Sequence, residues 1–102
     1  MLKYGLTASF LMLASAAYAQ NEGADAAAAG AEVYEIQCSG CHGRRLRDPT
    51  VGIDLRELKA DERDRFDTGV LYGNGQMPGW QGILTDEEID QLWAYIRANA
   101  YE

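Results

Sequence analysis

The chain is 102 residues long, with 16 acidic residues against 9 basic ones and a formal net charge of −7. That length supports one domain, and the acidic balance excludes a nucleic-acid binder, because phosphate contacts need a basic face. Two cysteines and one histidine are the only thiols and imidazole available, and all three fall in residues 38–42, "CSGCH".

The N-terminus carries Lys3 and then an apolar stretch from Gly5 to Ala17, followed by Ala17-Tyr18-Ala19 and Gln20. A charged start, an apolar core and a small-x-small cleavage site describe a secretory signal peptide over residues 1–19. Thr7, Ser9 and Ser15 interrupt the core, which is too short for a stable membrane anchor. Cleavage after Ala19 and export to the periplasm of a bacterium are expected. Lys3 is the leader's only charged residue, so its loss takes the net charge from −7 to −8. A mature domain this small is usually completed by a metal, a cofactor or disulfides.

Residues 20–29 read as a flexible, Ala-rich tail that runs into a helix from about Ala26 to Cys38. Gly30, Tyr34, Cys38 and Cys41 recur along it at helical spacing, and a turn is expected at Gly40. Residues 43–52 hold Arg44, Arg45, Arg47, Pro49 and two glycines without periodicity, which predicts a loop. "IDLREL", 53–58, suits a short helix or a turn. "ADERDRFDTGVLY", 60–72, predicts a helix with Phe66 and Val70 on one face. "GNGQMPGWQG", 73–82, has four glycines and a proline and predicts a structured loop.

"LTDEEIDQLWAYIRANA", 84–100, is the strongest helical pattern. Thr85 and Glu88 form a capping box, while Asp86 and Glu87 suit the positive end of the helix dipole. Ile89, Leu92, Trp93, Ile96 and Ala100 make one apolar stripe. No alternating apolar run occurs, so the fold class is all-α, with three to four helices.

Three chemistries compete for Cys38 and Cys41. A redox disulfide belongs at the start of a helix in a strand–helix fold, and no strands are predicted. Structural zinc needs more strong ligands than one His and two Cys supply. Covalent haem uses this pattern directly: two thiols add to the vinyl groups, and the adjoining His42 is carried beneath the iron. Export and the lack of competing ligands favour haem. Met77 is then the candidate sixth ligand. Pro78 restricts its backbone, the surrounding glycines allow close approach to a flat ring, and His/Met ligation suits electron transfer. The competing role is a methionine filling a core gap.

On these residues the chain resembles the small class I c-type cytochromes. The resemblance runs from Gly30 to about Ala100. Family members have a glycine eight residues and an aromatic four residues before the first cysteine, matched by Gly30 and Tyr34. They have an apolar–aromatic pair in the last helix, matched by Leu92 and Tyr95, and these two helices cross closely. "GQMPGW" resembles the axial-Met loop. The resemblance implies a class I cytochrome c fold over residues 30–102 around one covalent haem. Cys38 and Cys41 would carry that haem, and His42 and Met77 would ligate its iron. The family often has Gly-Pro-x-Leu about a dozen residues after the His, its Pro carbonyl accepting from the imidazole. Here "GIDL" puts Ile53 in the Pro position, leaving Ile53 or the Pro49 loop to orient His42.

"DLREL", "FDTGVLYGNGQMPGW" and the final helix are also similar to cytochromes that serve quinone-cofactor alcohol dehydrogenases. This implies redox protein partners: a quinoprotein dehydrogenase as donor, and a terminal oxidase or another cytochrome as acceptor. A periplasmic one-electron carrier rather than an enzyme is expected, because no acid/base pair is placed for substrate chemistry. The alternatives are a subunit of a stable dehydrogenase complex and a haem protein with an open sixth site, acting as sensor or peroxidase. Arg44, Arg45 and Arg47 are candidates for pairing with haem propionates, for docking, or for a solvated charge run. Trp80 and Trp93 are expected to pack on haem and core, the Trp80 N–H being a propionate donor. Tyr72 is a candidate pocket residue.

Overall fold

The structure, a computed structural model, describes residues 22–101. The signal peptide expected over 1–19 lies outside the described residues. Among those residues the architecture is all-α, with no strand and only two isolated bridges, Asn74 with Met77 and Gln81 with Leu84.

Helix α1 covers 22–37, so residues 22–29, expected as a loose tail, are helical. The physical reason is composition: alanine has the highest helix propensity. The first turn is exposed and continues into the packed part of the helix. The second correction concerns the helix end. The chain turns at Cys38 and then resumes as α2, Ser39–His42, running through Gly40 to stop at Gly43. Cys38 N–H donates to the Tyr34 carbonyl at 2.8 Å and His42 N–H to the Cys38 carbonyl at 3.0 Å, so the hydrogen-bond ladder bridges the break.

Three 3₁₀ turns, Arg44–Leu46, Leu55–Glu57 and Ala60–Glu62, lead to α3, Arg63–Tyr72. The predicted "IDLREL" segment is the second of these. The last helix, α4, spans Asp86–Ala98. Its capping box forms as the sequence predicts: Glu88 N–H donates to Thr85 Oγ1 at 3.1 Å, and Thr85 N–H donates to Glu88 Oε1 at 3.0 Å. Ile89, Leu92 and Ile96 of the predicted stripe are buried; Trp93 is part-buried, and Ala100 lies beyond the helix end.

The core gathers Tyr34, Leu46, Leu58, Phe66, Val70 and Leu84 around that stripe. Its organising contact is the crossing of α1 on α4. A Cβ at Gly30 would collide with the Gln91 carbonyl and lie 3.0 Å from Leu92 N, so only hydrogen fits there. One turn on, the Tyr34 and Tyr95 rings pack with centroids 5.3 Å apart. Tyr34 is fully buried, and its hydroxyl donates to the Gly43 carbonyl at 2.5 Å. The same side chain therefore holds the helix crossing and the end of the CSGCH segment.

Gly30→Ala gains helix propensity but forces backbone apart. A net loss of about 1–3 kcal/mol is expected, as for overpacked cores. Denaturant unfolding measures it, and stability equal to or above the parent's would show that the two helices do not meet here.

Candidate haem-binding site

An apolar cavity of about 540 Å³ opens between α1, α2, α3 and α4, within the size range of ligand sites. Cys38, Cys41, His42 and Met77 all line it, so the fold brings together all four residues that the sequence singles out. Its walls include Tyr34, Leu58, Phe66, Val70, Leu92 and Ile96. Much of the domain's core therefore faces this cavity, as expected if a cofactor completes it.

Both cysteines are free thiols, Cys38 half-buried and Cys41 exposed. Burial pushes the Cys38 thiol up to about 11, so it is neutral at physiological pH, unlike an activated redox cysteine. Among the described residues no three His, Cys, Asp or Glu side chains gather as a metal site.

His42 is held on two sides. Its Nδ1 lies 3.2 Å from the Ile53 carbonyl oxygen. A carbonyl only accepts, so Nδ1 carries the proton and donates, leaving the Nε2 lone pair for a metal. Ile53, not the Pro49 loop, is thus the orienting residue. Beside the ring sits Gly52, where a Cβ would come 3.3 Å from His42 Cε1, in a backbone with φ +83°. Any side chain there is strained by the dihedral and presses on the imidazole.

Met77 is fixed by its loop. Met77 N–H donates to the Asn74 carbonyl and Asn74 N–H to the Met77 carbonyl, each at 3.0 Å. The loop then returns to α3 through Trp80 N–H on the Val70 carbonyl at 2.7 Å and Gln81 N–H on the Leu71 carbonyl at 3.2 Å. Trp80 lines the cavity, but its indole N–H donates to Gln37 Oε1 at 3.2 Å, tying the loop to α1.

The remaining candidates fall as follows. Tyr72 does not line the cavity; at the end of α3 it is 66% exposed. Trp93 packs on Phe66 at 5.1 Å between centroids, outside the cavity lining. Arg44, Arg45 and Arg47 are exposed and away from it, and Arg45 donates its N–H to the Glu35 carboxylate at 2.9 Å. The arginine that does line the cavity is Arg65 of α3, paired with Glu62 at 3.1 Å. Sequence reasoning missed it, although it stands one helical turn before Gly69, another lining residue. It also missed the rim of Ile36 and Val51, 80% and 48% exposed.

These residues fit a haem: two thiols, one imidazole with Nε2 available, one thioether, and an apolar cavity with a single cationic side chain. The fold and the site together define a c-type cytochrome. Residues 25–96 match the family described as "Cytochrome C oxidase, cbb3-type, subunit III", and the chain belongs to it. Cytochrome c6 of Rippkaea orientalis is 33% identical over 79 residues, covering 72% of this chain and 71% of that protein. Cytochrome c6 of Bryopsis maxima is 32% identical over 85 residues, covering 72% and 91%. The quinohemoprotein alcohol dehydrogenase ADH-IIG of Pseudomonas putida is 34% identical over 77 residues, 72% of this chain but 11% of the dehydrogenase. No solved structure matches the chain. The protein therefore has the class I cytochrome c fold and is an electron carrier with covalently bound c-type haem.

Gly52→Ala is expected to destabilise the haem-loaded protein by about 1 kcal/mol or more, the cost of alanine at positive φ, and to lower haem content per chain. An unchanged unfolding curve and haem content would show that the ring does not rest on this glycine.

Proposed function

We propose that this chain is a periplasmic one-electron carrier in which Cys38 and Cys41 would hold the haem covalently and His42 and Met77 would ligate its iron. The observation that supports it is the convergence of these four side chains on one apolar cavity, with His42 already oriented by the Ile53 carbonyl. The bound haem supplies an iron that gains or loses one electron between its ferric and ferrous states. The chain's own residues do the rest. Ile53 and Gly52 hold the imidazole so that neither oxidation state requires it to turn. The hydrogen-bonded loop around Met77 keeps a soft thioether at the cavity, which favours the ferrous form. Phe66, Val70, Leu92 and Ile96 exclude water. The ordered loop also favours a filled sixth position over a sensor or peroxidase.

The leader over residues 1–19 supports export. Among the described residues no helix is long and apolar enough to cross a membrane. Similarity to a quinohemoprotein alcohol dehydrogenase supports a quinoprotein dehydrogenase as donor, with another cytochrome or a terminal oxidase as acceptor.

Haem staining should persist after denaturing electrophoresis, and the mass should exceed that of residues 20–102 by one haem. Met77→Ala should open the iron to carbon monoxide and lower the reduction potential. A colourless folded protein, or a Met77→Ala spectrum identical to the parent's, contradicts the assignment.

The cavity mouth supports a docking surface for redox partners. Ile36 and Val51 are exposed there, and among the described residues Arg65 is the only Lys, Arg, Asp or Glu that lines the cavity. Contact at the mouth is apolar and small, as suits a transient redox encounter. The acidic body, −8 after leader removal by the loss of Lys3 from −7, steers the approach from a distance. Electron transfer with the natural partner is therefore expected to slow as salt rises, because screening acts over about 8 Å at physiological ionic strength. Stopped-flow rates independent of salt would exclude electrostatic steering.

A further inference from the structure

The carbonyl that orients His42 belongs to a poorly restrained residue. Ile53 is 42% exposed and follows a glycine with φ +83°. Its own side chain cannot fix the direction of its C=O. The peptide unit joining residues 53 and 54 is planar, so whatever fixes Asp54 also fixes the carbonyl of Ile53.

Asp54 is held unusually well. Its carboxylate accepts from Arg56 N–H at 3.0 Å, from Arg56 Nε at 3.1 Å and from Arg56 Nη2 at 3.0 Å. The Tyr101 hydroxyl donates to Asp54 Oδ2 at 3.1 Å. Tyr101 N–H donates to the Arg56 carbonyl at 3.0 Å, and the Arg56 guanidinium lies 4.7 Å from the centre of the Tyr101 ring. The side chains of Arg56 and Asp54 are only 17% and 19% exposed. The Arg97 guanidinium adds a bond to the Leu58 carbonyl at 2.6 Å. Segment 54–58 is thus pinned to α4 and to the residues that follow it.

We propose that Asp54, Arg56 and Tyr101 are positioning residues that aim the Ile53 carbonyl at His42 Nδ1. The chain past α4 thereby sets the donor strength of the axial imidazole. This rests on the reading of His42 as an iron ligand. A firm hydrogen bond from Nδ1–H makes the imidazole more basic and stabilises ferric iron. A loosened clamp weakens that bond, and the balance moves toward the ferrous state. Tyr101 is 57% exposed, so it contributes little core packing, and the removal of its hydroxyl separates positioning from stability.

The test uses the haem-loaded full chain, its Tyr101→Phe and Asp54→Asn variants, and a chain ending at Ala100. In the reduced protein, NMR follows solvent exchange of the His42 Nδ1 proton, and a redox titration gives the potential. The expected result is several-fold faster exchange and a raised potential in Tyr101→Phe, with larger changes in the other two. Haem content and the Met77–iron signature should remain those of the parent. The inference is overturned if exchange and potential match the parent while only the melting temperature falls, since the cluster is then merely structural. It is equally overturned if Tyr101→Phe fails to fold but Asp54→Asn folds with unchanged exchange. A parent protein with no haem-shifted His42 ring signals would instead refute the ligation reading on which the clamp depends.

Discussion

The close approach of α1 to α4 at Gly30 is the constraint from which the rest of this molecule follows. With no side chain at that position, the backbones meet, and Tyr34 is driven against Tyr95 and buried. A buried phenol needs a hydrogen-bond partner, and it finds one in the carbonyl of Gly43, the residue after His42. Burial also raises the Tyr34 pKa, so the hydroxyl remains a donor. The crossing thus reaches directly into the CSGCH segment and holds the end of α2 against the core.

The cavity follows from the same crossing. Leu92 and Ile96, from the buried face of α4, form part of its wall with Phe66 and Val70 of α3. So much apolar surface around one space is costly in water without an occupant, and covalent haem accounts for it. The two faces of the site are built differently. His42 stands on a helical segment and is aimed by a carbonyl eleven residues away. Met77 stands in a loop closed by paired backbone bonds with Asn74 and anchored to the end of α3. In each case the backbone around the side chain is restrained by hydrogen bonds of the chain itself.

Charge is distributed with the same separation. Arg63 pairs with Asp67 within α3 at 2.7 Å and bridges to α4 through Asp90 at 2.5 Å, but pairs this exposed contribute little to stability. The cavity mouth is almost uncharged. Ile36 and Val51 are exposed at that mouth.

Much of this was legible in the sequence. The capping box at Thr85 and Glu88 and the stripe of Ile89, Leu92 and Ile96 are local patterns, and local patterns specify local structure. Cys38, Cys41 and His42 lie within five residues, so their chemistry is set by covalent neighbourhood, and the Gly/Pro spacing around Met77 marks a rigid loop. Three-dimensional packing decided what those patterns could not. Whether Ile53 or the Pro49 loop orients His42 depends on how a loop folds back over α2. That Arg65 rather than Arg44, Arg45 or Arg47 lines the cavity depends on the rotational phase of α3 against its neighbours. That Tyr72 faces solvent, and that Tyr101 reaches Asp54 across 47 positions of sequence, are likewise long-range outcomes. No local composition encodes them, because each is fixed by where two distant segments happen to meet.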